Sequence, residues 1–185
     1  MEIKLLVGLG NPGPDYRGTY HNVGQFFIDE LAGQDAKFKK EKYFEYIKDG
    51  KPALVKTLTS MNQSGGAITT AKKYFGAKLN QILVVHDDSD IPLGSFKLSF
   101  ARGSAGHQGI ESIIKSLKTN KFYRLRIGIR PLVRTRKMKA GLPAVVYQRR
   151  TKASELVLKK IPAREKQILK KLFKEVSVLL TGNEQ

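Results

Sequence analysis

Residues 5–24, LLVGLGNPGPDYRGTYHNVG, begin as an apolar strand and continue into a loop rich in glycine and proline. A strand that ends in such a loop and is followed by a helix is typical of α/β domains, which bind ligands beyond the carboxyl ends of their strands. Two kinds of site fit this stretch. Gly8, Gly10 and Gly13 match the G-x-G-x-x-G of a dinucleotide-binding loop, whereas His21 and Asn22 follow beyond the glycines.

The residues around the glycines argue against a dinucleotide. A dinucleotide-binding loop needs a helix that starts at the glycines, so that its N–H groups meet the pyrophosphate. Here Pro12 and Pro14 flank Gly13, and seven more residues pass before a helical pattern starts. The strand predicted at 52–58 ends in Val-Lys-Thr-Leu, without the acid that would hold the ribose. A P-loop is excluded because no G-K-[ST] follows the glycines.

Length and composition limit the class of protein. The 185 residues are enough for one well-buried domain, and we expect a single domain over residues 1–185. The absence of cysteine excludes disulfides, a thiolate nucleophile and thiolate metal ligands, and it fits a reducing compartment. The apolar run at the amino terminus is too short for a signal sequence or a membrane span. We therefore expect a protein of the cytoplasm or of an organelle's soluble phase, with the cytoplasm favoured, that does not contact membranes.

The charge is strongly unbalanced, with 34 Lys and Arg against 16 Asp and Glu and a formal net charge of +18. Residues 130–175 hold 15 basic and three acidic residues, and Glu111 is the only acid in residues 91–154. A solvated lysine-rich surface is the simplest explanation, but an excess of this size favours a polyanionic partner. We expect a nucleic-acid face in the carboxy-terminal half, held by phosphate contacts that weaken with salt.

Strand and helix patterns alternate along the chain, which predicts an α/β domain. Asp49-Gly50 favours a hairpin turn between two strands, so the sheet is expected to be mixed, with helices on its faces. Residues 130–151 carry clustered basic residues without a clear period, and we interpret them as a loop or lid. Strands are predicted at 3–9, 39–47, 52–58, 82–86, 95–100 and 123–129, and helices at 22–32, 65–75, 108–117, 153–160 and 163–180.

The chain has three histidines, His21, His86 and His107, each in a short polar string at the boundary of an element. A lone histidine is more often structural than catalytic, but His21 follows the loop at the carboxyl end of the first strand. Asp87 ends another buried strand and is expected to lie beside His21. A carboxylate that accepts the Nδ1 proton leaves Nε2 free to take a proton from water. We therefore interpret His21 and Asp87 as a base and its orienting partner.

Other uses of these residues are less well supported. His86, Asp87, Asp88 and Asp90 are clustered, yet no His-x3-His or Glu-x-x-His spacing accompanies them, and we expect no metal. A serine nucleophile needs a strained elbow such as G-x-S-x-G, which the sequence around Ser104 does not match. Water is the favoured nucleophile.

Three amides stand where strands give way to helices: Asn11, Asn62 and Gln108. Each alone is more often a cap or turn residue. Neutral amides also donate to a developing oxyanion or hold a peptide backbone without titrating. Their joint placement indicates a hydrolase that binds an acyl or peptidyl group.

Five strings, in this order, carry a resemblance to a known family: VGLGNPGPDYRGTYHNVG, TSMNQSGGAI, ILVVHDDSDIPLG, GSAGHQGI and YRLRIGIRP. Over nearly its whole length the chain resembles the bacterial-type peptidyl-tRNA hydrolases. The resemblance implies a monomeric α/β fold with a mixed twisted sheet, and hydrolysis of the ester that joins a peptide to the terminal ribose of tRNA. It implies no metal or organic cofactor. A non-catalytic RNA-binding relative of the same fold is the alternative.

The resemblance also assigns roles to matching residues. His21 would activate water, Asp87 would orient it, and Asn11 would bind the substrate at the cleaved ester. Tyr16 would lie near the tRNA 3′ end, and Arg126 would contact a phosphate. The peptide backbone would be bound by Asn62, with Met61 and Gln108 also in the substrate site.

Three departures from the family pattern affect these assignments. Gln108 stands where the family usually has Asn, and its extra methylene displaces the amide by about one carbon bond length. A second phosphate-binding Lys of the family falls on Ser99, and Lys97 and Arg102 are the residues expected to compensate, together with a basic cluster at 134–139. The basic segment at 132–150 looks longer than the usual connection and is expected to extend the RNA contact.

Overall fold

The computed structural model describes residues 2–50, 52–131 and 152–181. In this part of the chain, seven strands form one sheet with the order β2-β3-β4-β1-β5-β7-β6. The strands are β1 (Leu5–Gly8), β2 (Lys39–Lys40), β3 (Phe44–Ile47), β4 (Ala53–Thr57), β5 (Ile82–Pro92), β6 (Phe96–Phe100) and β7 (Tyr123–Arg130). The helices are α1 (Val23–Ala32), α2 (Ser64–Phe75), α3 (Gln108–Leu117), α4 (Ala153–Leu156) and α5 (Ala163–Thr181).

The sheet is mixed, as the sequence predicts. Its centre is parallel, because β1 pairs with β4 and β5, and β5 pairs with β7. Its edges are antiparallel: β3 pairs with β4 through the hairpin predicted at Asp49-Gly50, and β6 pairs with β7. The carboxyl ends of the four parallel strands therefore meet at one edge of the sheet, where a ligand site is expected.

Hydrophobic cores lie on both faces of the sheet. On one face, Val7 and Val84 pack with Ile68 of α2 and Ile110 of α3. On the other face, alternate strand residues such as Leu6 and Leu83 pack with α1 and α5, and the α5 contributions are Leu169, Leu172, Phe173 and Val176. The apolar residues of α5 thus pack against this face of the sheet. None of the helices in the described ranges is long and apolar enough to cross a membrane.

Strand β5 is longer than the sequence indicates, since it runs to Pro92 rather than ending at His86. Its polar half, from His86 to Asp88, pairs with Arg126, Ile127 and Gly128 of β7, and the register shifts between Asp88 and Pro92. Pairing with a buried neighbour therefore overrides the weak strand propensity of the Asp-rich string. As a result, β5 places His86, Asp87 and Asp88 at the carboxyl edge of the parallel strands.

Two further elements differ from expectation. The strand predicted at 39–47 is two short strands, β2 and β3, which pair with each other in antiparallel fashion. The helix predicted at 153–160 ends at Leu156, because the residues after it pair with the segment before α1. Most of the predicted basic loop, residues 132–151, lies outside the described residues.

Two glycines allow α1 to approach the sheet at backbone distance. A Cβ atom on Gly24 would lie 2.3 Å from the carbonyl oxygen of Val85 and 2.7 Å from the Leu9 nitrogen. A Cβ atom on Gly8 would lie 2.3 Å from the Gly24 carbonyl oxygen. The start of α1 therefore rests directly on the carboxyl ends of β1 and β5, and this contact places the residues just before the helix at the ligand edge.

Candidate active site

A cavity of about 510 Å³ opens at the carboxyl edge of the parallel strands. Its walls come from the loop after β1, the polar half of β5, the loop before α3, strand β7 and helix α4. Of the residues predicted from the sequence, the lining includes Asn11, Tyr16, His21, Asp87, Arg102, Gln108 and Arg126.

One carboxylate oxygen joins two histidines at the floor of this cavity. His21 Nδ1 lies 2.8 Å from Asp87 Oδ1, and His107 Nε2 lies 3.0 Å from the same oxygen. Burial alone would raise the pKa of the Asp87 carboxyl, but the neighbouring His107 and His21 outweigh it and hold that pKa well below its usual range. The carboxyl is therefore ionised, and both imidazole nitrogens donate to it.

These hydrogen bonds fix the tautomers of the two rings. His107 Nδ1 accepts the backbone N–H of Ile110 at 3.3 Å and caps α3, so its proton lies on Nε2. His21 donates through Nδ1 to Asp87, so a neutral His21 carries its lone pair on Nε2. The ring of His21 is therefore oriented to accept a proton in the cavity.

Asn11 is oriented by a second network of amides. The side chain of Asn22 accepts the Asn11 N–H at 2.9 Å and donates to the Asn11 carbonyl at 2.9 Å, which fixes the backbone of Asn11. Asn11 Oδ1 in turn accepts the backbone N–H of Met61 at 2.7 Å. Its carboxamide oxygen is thus occupied, which leaves its NH₂ group as the side-chain donor available to a ligand.

His86 lies next to Asp87 and lines the cavity, although it is almost completely buried. Its side chain is 2% exposed, and Nδ1 donates to the Asp87 carbonyl oxygen at 2.7 Å, while its ring packs edge-on against His107 at 4.6 Å. Burial, with His107 second, holds the His86 pKa well below 6.5, so the ring is neutral. His86 thus supplies a hydrogen bond to the backbone that presents the Asp87 carboxylate.

Arginines of β7 line the wall on the far side of the cavity. Arg126 pairs with Asp88 through Nε at 2.8 Å and Nη2 at 2.7 Å. Arg124 is 2% exposed and donates through Nη1 to the Gly103 carbonyl at 3.0 Å. Burial lowers the Arg124 pKa, and the charges of Arg126 and Arg102 lower it further, whereas Asp88 opposes them. Three arginines at one cavity favour an anionic ligand, although Asp88 neutralises part of their charge.

The chain is similar to known proteins over most of its length. A sequence model of the family described as "Peptidyl-tRNA hydrolase" matches residues 5–182. The chain belongs to the peptidyl-tRNA hydrolase family. It is 46% identical over 134 residues to a peptidyl-tRNA hydrolase of Neisseria meningitidis serogroup C, a match that covers 69% of this chain and 70% of that protein. It is 47% identical over 131 residues to one from a Hydrogenobaculum species, with the same coverage.

Solved structures agree with the sequence match. The crystal structure of peptidyl-tRNA hydrolase from Acinetobacter baumannii superimposes with a TM-score of 0.76 at 28% identity, over 97% of this chain and 89% of that one. A complex of peptidyl-tRNA hydrolase with N-propanol gives the same values. The predicted fold and enzyme class, and the predicted hydrolysis of peptidyl-tRNA, are confirmed by this family membership, which gives no support to the non-catalytic alternative.

Three residues predicted from the resemblance to peptidyl-tRNA hydrolases do not line the cavity. Met61 is buried, and its N–H donates to Oδ1 of Asn11, which lines the cavity. Asn62 is exposed, and its Oδ1 accepts the Ser60 hydroxyl at 2.9 Å. Lys97 is exposed on β6, where it is paired in register with Arg126. The structure therefore brings together the predicted base, its carboxylate and Asn11, but leaves Asn62 outside this cavity.

The sequence-based interpretation missed His107 as a partner of Asp87. Its position before a helix was visible, but twenty residues separate it from Asp87, and no local pattern links the two. In the described ranges, one group of side chains could hold a metal ion, namely His21, Asp87 and His107, whose ligand atoms lie within 4.8 Å of one another. This group is the hydrogen-bonded trio itself, and the absence of a metal stays a prediction.

Proposed function

We propose that His21 is the general base that hydrolyses the ester of peptidyl-tRNA. In this reaction His21 Nε2 takes a proton from water, and the water oxygen forms a bond to the ester carbonyl carbon. The tetrahedral intermediate then collapses as the bond to the ribose oxygen breaks, and His21 returns the proton to that oxygen. The observation that carries this role is the 2.8 Å hydrogen bond from His21 Nδ1 to Asp87 Oδ1, which leaves Nε2 as the proton acceptor.

Asp87 stabilises the charge that His21 acquires. Because its pKa is depressed, it is a carboxylate throughout the reaction, and a buried carboxylate attracts the imidazolium strongly. His107 donates to the same oxygen and so restricts its rotation. Asp87, held by His107, therefore stabilises the imidazolium form of His21 electrostatically and does not itself accept a proton.

Asn11 is the proposed donor to the ester. Its carboxamide oxygen is bound by the Met61 N–H and its backbone is held by Asn22, so its NH₂ group is preorganised. A fixed neutral donor aimed at the carbonyl oxygen stabilises the negative charge that develops there, without solvent reorganisation. Met61 contributes to the site by holding Asn11.

We propose that the tRNA part and the peptide part of the substrate bind to different sets of residues. We assign Tyr16 to the tRNA 3′ end, and Gln108 and Asn62 to the peptide backbone, with Asn62 reached by peptide that extends out of the cavity. Arg102, Arg126 and Lys97 are assigned to phosphates of the acceptor stem; Lys97 and Arg126 are neighbours on adjacent strands. Arg126 must exchange its partner Asp88 for a phosphate, or share it.

The remaining properties follow the family resemblance. We propose a cytoplasmic monomer that binds the acceptor stem and 3′ end of peptidyl-tRNA and hydrolyses it without a metal or organic cofactor. Residues 1–185 are proposed to act as one domain, with the basic segment at 130–151 as an additional RNA contact.

The test is single-turnover release of labelled peptide from a defined peptidyl-tRNA, by wild type and by His21→Ala and Asp87→Asn. We expect His21→Ala to abolish release while changing tRNA affinity less than about twofold, because it removes no phosphate contact. Asp87→Asn should retain binding and reduce release strongly. Undiminished release by His21→Ala would refute the mechanism.

A further inference from the structure

The ammonium of Lys160 binds three backbone carbonyls of one loop. Its Nζ lies 2.6 Å from the Asp15 oxygen, 2.8 Å from the Arg17 oxygen and 3.4 Å from the Pro14 oxygen. An ammonium has three N–H donors, so one lysine satisfies three acceptors of a loop that lies at the surface. These charge-assisted bonds span 143 to 146 residues of sequence and join the carboxy-terminal segment to the loop after β1.

The bound loop carries Tyr16, whose side chain lines the cavity and is 40% exposed. Within the loop, the Tyr16 carbonyl accepts the N–H and the hydroxyl of Thr19, at 3.0 and 2.8 Å. Lys160 holds the carbonyls immediately before and after Tyr16, at Asp15 and Arg17. The backbone on both sides of Tyr16 is thus fixed by one side chain.

The main chain around Lys160 is anchored independently of this ammonium. His21 donates its N–H to the Val157 carbonyl at 2.8 Å, Tyr20 donates to Lys159 at 3.1 Å, and the Ile161 N–H donates to Gly18 at 2.8 Å. The Tyr20 hydroxyl also donates to Glu165. These bonds hold residues 18–21 against residues 157–161 without Lys160 Nζ. Removal of the ammonium is therefore expected to release the loop at 14–17 and to leave His21 in place.

We infer that Lys160 is a positioning residue for substrate binding, which holds Tyr16 on the cavity wall where the tRNA 3′ end is bound. The inference rests on the proposed role of Tyr16. Because Lys160 acts on the loop and not on His21, its loss weakens binding of peptidyl-tRNA and spares the chemical step. A surface lysine that contributed only its charge would have no such selectivity.

The experiment compares Lys160→Met with Lys159→Met in steady-state hydrolysis of peptidyl-tRNA at one salt concentration. Lys159 is the matched control, because it is the adjacent exposed lysine and its substitution changes the net charge equally. We expect Lys160→Met to raise KM about tenfold, the effect of losing charge-assisted hydrogen bonds, with kcat changed less than about twofold. Lys160→Arg, which keeps the charge but whose planar group does not reproduce three donors on one nitrogen, should restore part of the loss. Lys159→Met should change KM less than about twofold.

A second pair of variants tests whether the effect passes through Tyr16. In a Tyr16→Ala background, Lys160→Met should change KM less than about twofold, because the side chain that it positions is gone. Equal effects of Lys160→Met and Lys159→Met would overturn the inference, as would a full additional effect in the Tyr16→Ala background. If Tyr16→Ala alone left KM unchanged, the proposed role of Tyr16 would fail, whereas the hydrolytic role of His21 would be unaffected.

Discussion

His107 Nε2 donates a hydrogen bond to Asp87 Oδ1 at 3.0 Å, and this is the same oxygen that accepts the bond from His21. One oxygen atom therefore couples the proposed base to the amino terminus of α3, where His107 also serves as the cap.

His107→Asn tests this coupling. Asn keeps a favoured helix cap but is too short to reach Asp87 in the same way, so the carboxylate loses one donor. We expect kcat to fall about tenfold, the equivalent of one charge-assisted hydrogen bond, and the thermal unfolding temperature to fall as well, because the buried Asp87 carboxylate loses a partner. In an Asp87→Asn background the same substitution should cost much less. Additive losses in the double variant would show that His107 acts independently of Asp87.

Gln108→Asn tests the main departure from the family pattern. Gln108 is the first residue of α3 and lines the cavity, and it has one more rotatable bond than Asn. Ordering a longer side chain on the substrate costs more conformational entropy, so we expect Gln108→Asn to raise kcat/KM about threefold. Gln167→Asn, on the exposed face of α5, is the control and should leave kcat/KM unchanged. A fall in kcat/KM for Gln108→Asn would mean that this site is adapted to the longer amide.

Because His86 is buried, we expect the folded protein to lose stability in mild acid. Its pKa is lowered by burial in the folded protein, so below pH 6.5 the unfolded chain binds a proton that the folded chain does not. The free energy of unfolding should therefore fall as the pH drops below 6.5, by up to about 1.4 kcal/mol per pH unit from this residue. Urea unfolding of wild type and His86→Gln at pH 7.5 and 5.5 measures the difference. Equal pH dependence of the two proteins would contradict the assignment of a neutral buried ring.

We expect the substitution of Ala101 by glycine to stabilise the protein. It has φ of 53° in the loop between β6 and α3, a left-handed conformation that costs a residue with a Cβ about 1–2 kcal/mol. Ala101→Gly removes this strain but adds entropy to the unfolded chain, and the net gain in unfolding free energy should be about 0.5–1 kcal/mol. Ala71→Gly, in the interior of α2, is the control and should destabilise. Destabilisation by Ala101→Gly would exclude strain at this position.

We expect the substitution of Arg102 to change the salt dependence of tRNA binding. It is exposed and lines the cavity, and a direct phosphate contact releases about one counterion. The slope of log affinity against log salt should decrease by about 0.7–0.9 in Arg102→Gln. Lys39→Gln, with the same charge change on the strand at the opposite edge of the sheet, should leave the slope nearly unchanged. Equal slopes for the two variants would remove Arg102 from the RNA contact.

The sequence predicts those features whose signal is local. Apolar periodicity locates the central strands and most helices, and the strand-to-loop position of His21 indicates the site. The polar end of β5 is not predictable in this way, because residues such as Asp88 become strand only through pairing with β7.

Within the site, the His21 and Asp87 pair follows from two strand ends that meet at one edge of the sheet. The partnership of Asp87 with His107 depends on the path of the loop before α3, which includes residues such as Ala101 and Ala105 at positive φ. Backbone conformations of this kind are unusual for alanine, so the residue types in the sequence do not predict them. The exposed position of Asn62 likewise depends on the turn that precedes α2.

The close contact of Gly24 with Val85 and Leu9 makes residue 24 sensitive to mutation. Main chain rests on main chain there, and the contact leaves no space for a Cβ atom. A single methyl group at residue 24 would push the start of α1 away from the strand that carries Asp87. A screen for loss of peptidyl-tRNA hydrolysis should therefore recover substitutions of Gly24, a residue with no side chain to touch substrate, as readily as those of the histidine three positions before it.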